Sequence, residues 1–350
     1  MAGDRVSAMG SYNEPRLGSG RVVRRPPEHE RFMACGQTDV GCERESNEDC
    51  FLICTQKRHS GYFVFDGMGG QPAGEAAALI SADTVRESLQ CARQGDPANT
   101  ILEAIETAQR VILARTVDKK LKGMGTTAVG VVISGNELAL GAVGDSRAYH
   151  IKIGSVAQIT SDHTLVQQLV DAGKITQSDA MVHPQSHILT RCLGSELGFA
   201  VDTKSFLIEC EGNLEAPIEW ILLCSDGLYG LVSDEEMAAV VTSTSAAEAA
   251  SQLIDIARSR GGFDNITALI VPIRGKLIER TQGSERTRGQ RWSNESDGSL
   301  EQESSFVVAN SPILRSARGI RNHFWRILAI AALSAAATMV CYAIFNMRWG

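Results

Sequence analysis

The 350-residue sequence predicts an α+β layered fold, and three features carry that expectation. Two β-rich runs, Thr127 to Ile133 and Leu138 to Val143, flank Gly135-Asn136, a pair suited to a tight hairpin, so the strands it joins are antiparallel. A second pair, Arg147 to Ile153 and Ser155 to Ile159, turns at Gly154. Against these stand two helical faces: Ile101, Ile105, Ala108 and Ile112 share one side of a helix by their spacing, as do Ala246, Ala250, Leu253 and Ala257. Hairpins beside amphipathic helices make packed layers with antiparallel sheets, not a doubly wound parallel fold.

Along the chain, residues 1–30 carry five arginines and a Pro pair but no apolar run of signal-peptide type, and read as a flexible N-terminal arm. Residues 31–275 form the globular body, with further strands expected at Tyr62 to Phe65, Trp220 to Cys224 and Ile266 to Val271 and no internal repeat of solenoid period. Residues 276–322 are rich in Ser, Arg, Glu, Gln and Gly, the composition of a disordered polar linker. Residues 323–350 read as a transmembrane tail anchor. Ile327 to Phe345 is a 19-residue stretch broken only by Ser334 and Thr338, which at about 1.5 Å per residue nearly spans a hydrocarbon core. Arg315, Arg318, Arg321 and Arg326 precede it and only Arg348 follows, so the expected topology is single-pass in the cytoplasmic (inner) membrane with the body in the cytoplasm.

Composition excludes several classes. With 43% hydrophobic and 21% charged residues the bulk is globular rather than disordered. A net charge of −7 argues against nucleic acid as a partner, because nonspecific binding there rests on clustered Lys and Arg neutralising phosphates. The nine cysteines are scattered and show no C-x-x-C pair, which reads as reduced thiols rather than a zinc site or disulfide framework.

Acidic residues recur where apolar strands end: Asp66-Gly67, Gly144-Asp145-Ser146, Ser225-Asp226-Gly227 and Asp264-Asn265. One Asp-Gly alone is a turn. Four at strand ends place carboxylates on rigid elements with their oxygens open, and an oxygen-rich set of this kind suits Mg²⁺ or Mn²⁺ rather than zinc.

The order and spelling of these motifs resemble the metal-dependent protein serine/threonine phosphatases of the protein phosphatase 2C type, in their bacterial form. The likeness spans Thr38 to about Val271. Its landmarks are Thr38-Asp39-Val40-Gly41 with Arg44 and Asn47-Glu48-Asp49; Val64 to Gly70, spelled VFDGMGG; Gly125-Thr126-Thr127; Val143-Gly144-Asp145-Ser146-Arg147; Ser225-Asp226-Gly227; and Gly262 to Thr267, spelled GFDNIT. The resemblance implies a four-layer α-β-β-α sandwich of two antiparallel sheets flanked by helices, with a metal centre of two or three Mn²⁺ or Mg²⁺ at one end. It makes Asp66 the carboxylate bridging two metals, with the Gly67 carbonyl on one of them and Asp226 and Asp264 on the other. Glu48 and Asp49 would act through bound water, Asp145 would match an additional metal position, and Arg44 would hold the substrate phosphate. Arg44 and Asp66 are thus the expected catalytic residues, hydrolysing phosphoserine and phosphothreonine by a metal-activated water with no covalent phosphoenzyme.

The partners implied are phosphorylated cytoplasmic proteins and a serine/threonine kinase that the enzyme opposes. Two alternatives stand beside this: a stress-response phosphatase of small regulatory proteins, and a catalytically inactive phosphopeptide reader on the same fold. Met68 departs from the eukaryotic pattern, in which a His follows Asp-Gly; a thioether cannot donate a proton. His163, His183 and His187 invite assignment as acid or base, but lie in a segment like the family's variable flap and read as capping or peptide-contact residues. Cys224 and Ser225 read as strand core, since no nucleophile-elbow or Cys-x₅-Arg pattern surrounds them.

Overall fold

A computed structural model describes residues 33–280, apart from 71–72, 93–95, 117–120, 196–198 and 211–217, together with 305–308. The first half of the body runs β1 (Cys35–Asp39), β2 (Asp49–Thr55), β3 (Ser60–Met68), α1 (Ala73–Cys91), α2 (Pro97–Arg115), β4 (Gly125–Thr126), β5 (Ala128–Ser134), β6 (Glu137–Val143), β7 (Arg147–Lys152) and β8 (Ser155–Gln158). The second runs α3 (Leu165–Asp171), α4 (Gln177–Met181), β9 (Asp202–Glu209), β10 (Ile218–Cys224), α5 (Asp226–Tyr229), α6 (Asp234–Ser243), α7 (Ala246–Ser259), β11 (Ile266–Arg274), β12 (Lys276–Glu279) and β13 (Ser305–Val308).

These elements make two antiparallel sheets. The smaller is ordered β1-β11-β10-β7-β8; the larger is ordered β12-β9-β6-β5-β3-β2-β13, with β4 beside the end of β3. The strand period of two sorts side chains between layers. On β2 and β3, Leu52, Cys54, Phe63 and Phe65 turn outward to meet Val85 and Leu89 of α1 and Ile101, Ile105 and Ile112 of α2. Their neighbours Phe51 and Val64 turn inward, with Val129, Val131 and Leu140, to meet Ala148, Ile221, Leu223 and Leu269 of the other sheet. The outer face of that sheet, with Tyr149, Leu222 and Ile270, packs on Met237 and Val241 of α6 and on Leu253 and Ala257 of α7. Three buried interfaces between four layers give the helix-sheet-sheet-helix sandwich.

Both hairpins are as expected. Ser134 pairs with Glu137 across Gly135-Asn136, with Gly135 at φ +59°, and Lys152 pairs with Ser155 across Ile153-Gly154, with Gly154 at φ +78°. The second turn consumes Ile153, which is therefore exposed despite being apolar. All eight residues assigned to the two helical faces are buried.

The body does not end at residue 275. β12 pairs with β9, Leu277 enters the core between the sheets, and its backbone N–H donates to the buried Glu219 carboxylate at 2.8 Å. β13 adds to the outer edge of β2, Ser305 opposite Thr55 and Val308 opposite Leu52. Both strands fall where composition predicts a linker, because main-chain pairing with an existing edge asks little of side chains. β13 runs against β2, so the chain leaves it heading toward the end of the sheet where Asp49 lies. The predicted arm, 1–30, and tail anchor, 323–350, lie outside the described residues. Among the described residues no helix is long and apolar enough to cross a membrane.

Candidate metal centre

Five loops at one end of the sandwich bring the predicted carboxylates together. Asp49 opens β2 and sits opposite Asp66 near the end of β3, while Gly67 N donates to the Glu48 carbonyl at 3.2 Å, so both pairs of site residues lie side by side. Asp226 opens the short α5 directly after β10, Asp264 precedes β11, and Asp145 lies in the turn from β6 to β7.

Neutral polar side chains hold these acids in place. Ser225 Oγ and Thr267 Oγ1 both donate to Asp49 Oδ2 at 2.7 Å, leaving Oδ1 buried and without a hydrogen-bond partner. Thr127 binds Asp66 through its backbone, donating from N to Asp66 O at 2.9 Å and accepting from Asp66 N on Oγ1 at 3.0 Å. Thr127 Oγ1 also meets Ser146 Oγ at 2.7 Å, beside Asp145. Asn265 joins two site loops: its amide nitrogen donates to the carbonyls of Val40 and Ser46, and its oxygen accepts from Glu48 N. A Cβ on Gly67 would fall on the carbonyl oxygens of Gly74 and Glu48, so only glycine lets the chain turn this closely.

Electrostatically the cluster holds more acids than cations: Arg44 and Arg147 pull Asp226 and Asp145 down, but burial and the neighbouring carboxylates outweigh them. Burial and then the charges of Asp49, Asp226, Asp145 and Asp264 hold the Asp66 carboxyl well above its ordinary range. Burial, and beyond it Asp226, pushes Asp145 up to about 8; burial and Asp264 raise Asp226 to about 6. Asp49 rises to about 7, chiefly by burial, against the pull of its two hydroxyl donors. Carboxylates crowded until they hold protons mark a place where cations are favoured.

Arg44 Nη2 donates to Asp264 Oδ2 at 2.7 Å. Among the described residues no group of three or more His, Cys, Asp or Glu side chains stands close enough to hold an ion by itself. An ion held by these acids would take its remaining positions from backbone carbonyls and water. The donor set is all oxygen, Asp49 Oδ1 is buried without a partner on a side chain that feels the charges of Asp226 and Asp264, and Gly67 N is bonded to the Glu48 carbonyl. These residues fit Mg²⁺ or Mn²⁺.

His163 is neither a capping residue nor a ligand. Its Nδ1 accepts from Gly144 N at 3.1 Å, its own backbone N donates to Gly144 O at 2.9 Å, and Nε2 therefore carries the proton toward Asp202 Oδ2 at 3.0 Å. It clamps the turn that presents Asp145. His183 accepts from Gln185 N beyond α4, and His187 is exposed. Cys224 is strand core, whereas Ser225 lies just past the strand and supports Asp49. Sequence reasoning assigned no role to Thr127, Thr267, Asn265 or Arg147. Arg147 grips Asp162 with two nitrogens and lies 3.7 Å over the Tyr229 ring, joining the β7 start, the loop before α3 and α5. The available signal was their position beside the acidic motifs.

Known proteins resemble this chain along most of that body. A model of the protein phosphatase 2C family matches residues 43–259. The serine/threonine phosphatase stp of Listeria welshimeri is 35% identical over 242 residues, covering 67% of this chain and 93% of that protein. The crystal structure of Stp1 from Staphylococcus aureus superposes with a TM-score of 0.63 at 30% identity, over 70% of this chain and 96% of that one. The catalytic domain of the phosphatase PstP, in complex with two manganese ions, superposes with a TM-score of 0.59 at 31% identity, over 69% of this chain and 98% of that one.

Proposed function

The chain belongs to the protein phosphatase 2C family and is a metal-dependent protein serine/threonine phosphatase, and from that premise we propose how its own residues do the work. Asp66 and the Gly67 carbonyl, with Asp226 and Asp264, would hold the cations; Asp145 would offer a further position, and Glu48 and Asp49 would act through water. Bound divalent cations supply the Lewis acidity that makes water a nucleophile at neutral pH and offset the charge gathering on the phosphoryl oxygens. Arg44 presents a planar fork matched to phosphate oxygens and orients the group for in-line displacement. The observation that carries this reading is the crowding of Asp66 by four other carboxylates beside an unpartnered buried oxygen of Asp49. Met68, at the end of β3, leaves the proton for the departing Ser or Thr oxygen to come from elsewhere than position 68.

The reading extends to place and partners: phosphorylated cytoplasmic proteins as substrates, a serine/threonine kinase as the opposing enzyme, and the inner membrane as the location, through Ile327 to Phe345. Its support is the basic flank before that stretch and the exit of the chain from β13 toward the metal end.

One experiment covers both parts. The full-length chain should dephosphorylate a phosphothreonine peptide with Mn²⁺ or Mg²⁺ and stop in EDTA, Arg44→Ala should act mainly on KM, and a C-terminal reporter active only outside the cytoplasm should light up in cells. Turnover in metal-free chelator would sink the mechanism; a chain that stays soluble on fractionation would sink the anchor.

A further inference from the structure

The ligand roles proposed above for Asp264 and Asp226 are the footing of this inference. Asp264 has both oxygens engaged by the chain's own donors: Oδ2 by Arg44 at 2.7 Å and Oδ1 by Asn265 N at 2.8 Å. Arg44 also lies within the fields of Glu48 and Asp226. The pair is exposed, but the loops that carry it are tied together. The loop bearing Arg44 is fastened to the loop bearing Asp264 by Cys42 N to Gly262 O at 2.7 Å and by the Asn265 amide on Val40 O and Ser46 O. Gly41, at φ +80°, lies so close that a Cβ there would fall on the Asp264 carbonyl. The guanidinium is thus held against one carboxylate of the metal site.

We propose that Arg44 is shared between Asp264 and phosphate, so that divalent-cation binding and phosphate binding strengthen each other through this one residue. A +1 charge beside a cation ligand opposes a +2 ion. At about 6 Å in a water-like dielectric, which suits a side chain that is 54% exposed, the opposition amounts to about tenfold in cation affinity. Phosphate oxygens compete with Asp264 for the same N–H groups, and drawing Arg44 onto phosphate frees Asp264 Oδ2. By linkage, whatever factor phosphate adds to cation affinity, cation adds to phosphate affinity.

The test reads Mn²⁺ binding, not turnover, by calorimetry and by the electron paramagnetic resonance signal of free Mn²⁺, on the full-length chain. Arg44→Ala should bind Mn²⁺ several-fold to tenfold more tightly than wild type without phosphate, and Arg44→Lys, which keeps the charge without the fork, should change much less. Inorganic phosphate should tighten Mn²⁺ binding in the wild type and do so far less in Arg44→Ala. An Arg44→Ala affinity equal to or weaker than wild type, beside an Asp264→Asn variant that has lost affinity, would overturn the sharing and leave the ligand assignment standing. An Asp264→Asn variant that binds Mn²⁺ like wild type would fault the assignment beneath it and take this inference with it.

Discussion

Replacing Asp226 with Asn should stabilise the metal-free protein while ending its response to metal. Burial and the neighbouring Asp264 raise the Asp226 carboxyl from 3.8 to about 6. At about 1.4 kcal/mol per pH unit this is a cost of about 3 kcal/mol for the ionised form. Sharing of a proton with Asp66 and partial access of water reduce it to about 1–2 kcal/mol. Because the folded value lies above the unfolded one, the protonated acid's contribution is fully present below pH 3.8 and is lost as pH rises through about 6. Asn carries no charge at any pH. In EDTA at pH 8 the variant should therefore melt about 3–6 °C above wild type, and near pH 4 the two should coincide. Mn²⁺ should then raise the wild-type melting point, since binding to the folded state alone adds stability by mass action, and should do little for the variant. Calorimetric melts at both pH values, with and without Mn²⁺, give all four numbers. A metal-free variant that melts below wild type at pH 8, or one whose Mn²⁺ shift matches wild type, would refute the claim that crowded acids are held at a cost for metal.

Metal uptake should expel protons, because Asp145, Asp49 and Asp226, raised chiefly by burial to about 8, 7 and 6, hold them near neutrality. Mn²⁺ affinity should accordingly climb between about pH 6 and pH 8, and calorimetry in buffers of different ionisation enthalpy should register the release; a buffer-independent heat would contradict it. Gly67→Ala should cost about 1–3 kcal/mol in melting stability, since its Cβ falls on the carbonyls of Gly74 and Glu48, and should weaken Mn²⁺ binding as well. Unchanged melting would show that the cradle gives way. Shortening the chain from residue 310 to residue 300 should remove β13 and speed hydrogen exchange along β2, whose outer edge it covers. Equal exchange in the two lengths would deny that pairing.

The layers were legible in the sequence because hydrophobic period and turn chemistry are local. Gly135-Asn136 and Gly154 closed their hairpins, and Ile101 to Ile112 buried the face that their spacing predicts. The acidic motifs were legible for the same reason, since a carboxylate at the end of an apolar strand is a local pattern; that Asp66, Asp145, Asp226 and Asp264 gather at one end of the sandwich was implied only by the family resemblance. What lay beyond local pattern was decided by packing across distant strands. Asp49 stands opposite Asp66 by sheet register, and two hydroxyls from residues 225 and 267 fix which of its oxygens is left unpartnered. His163 became a clamp on Gly144, and Ser225 a support for Asp49 rather than strand core, through contacts that only folding creates. The linker reading failed at β12 and β13 because a polar segment needs no apolar composition to pair with an open sheet edge. Arg44 and Asp264 are 220 residues apart, and no spacing rule reports that one lies 2.7 Å from the other; the sequence supplies the charges, and the antiparallel pairing of β1 with β11 brings the loops that carry them together.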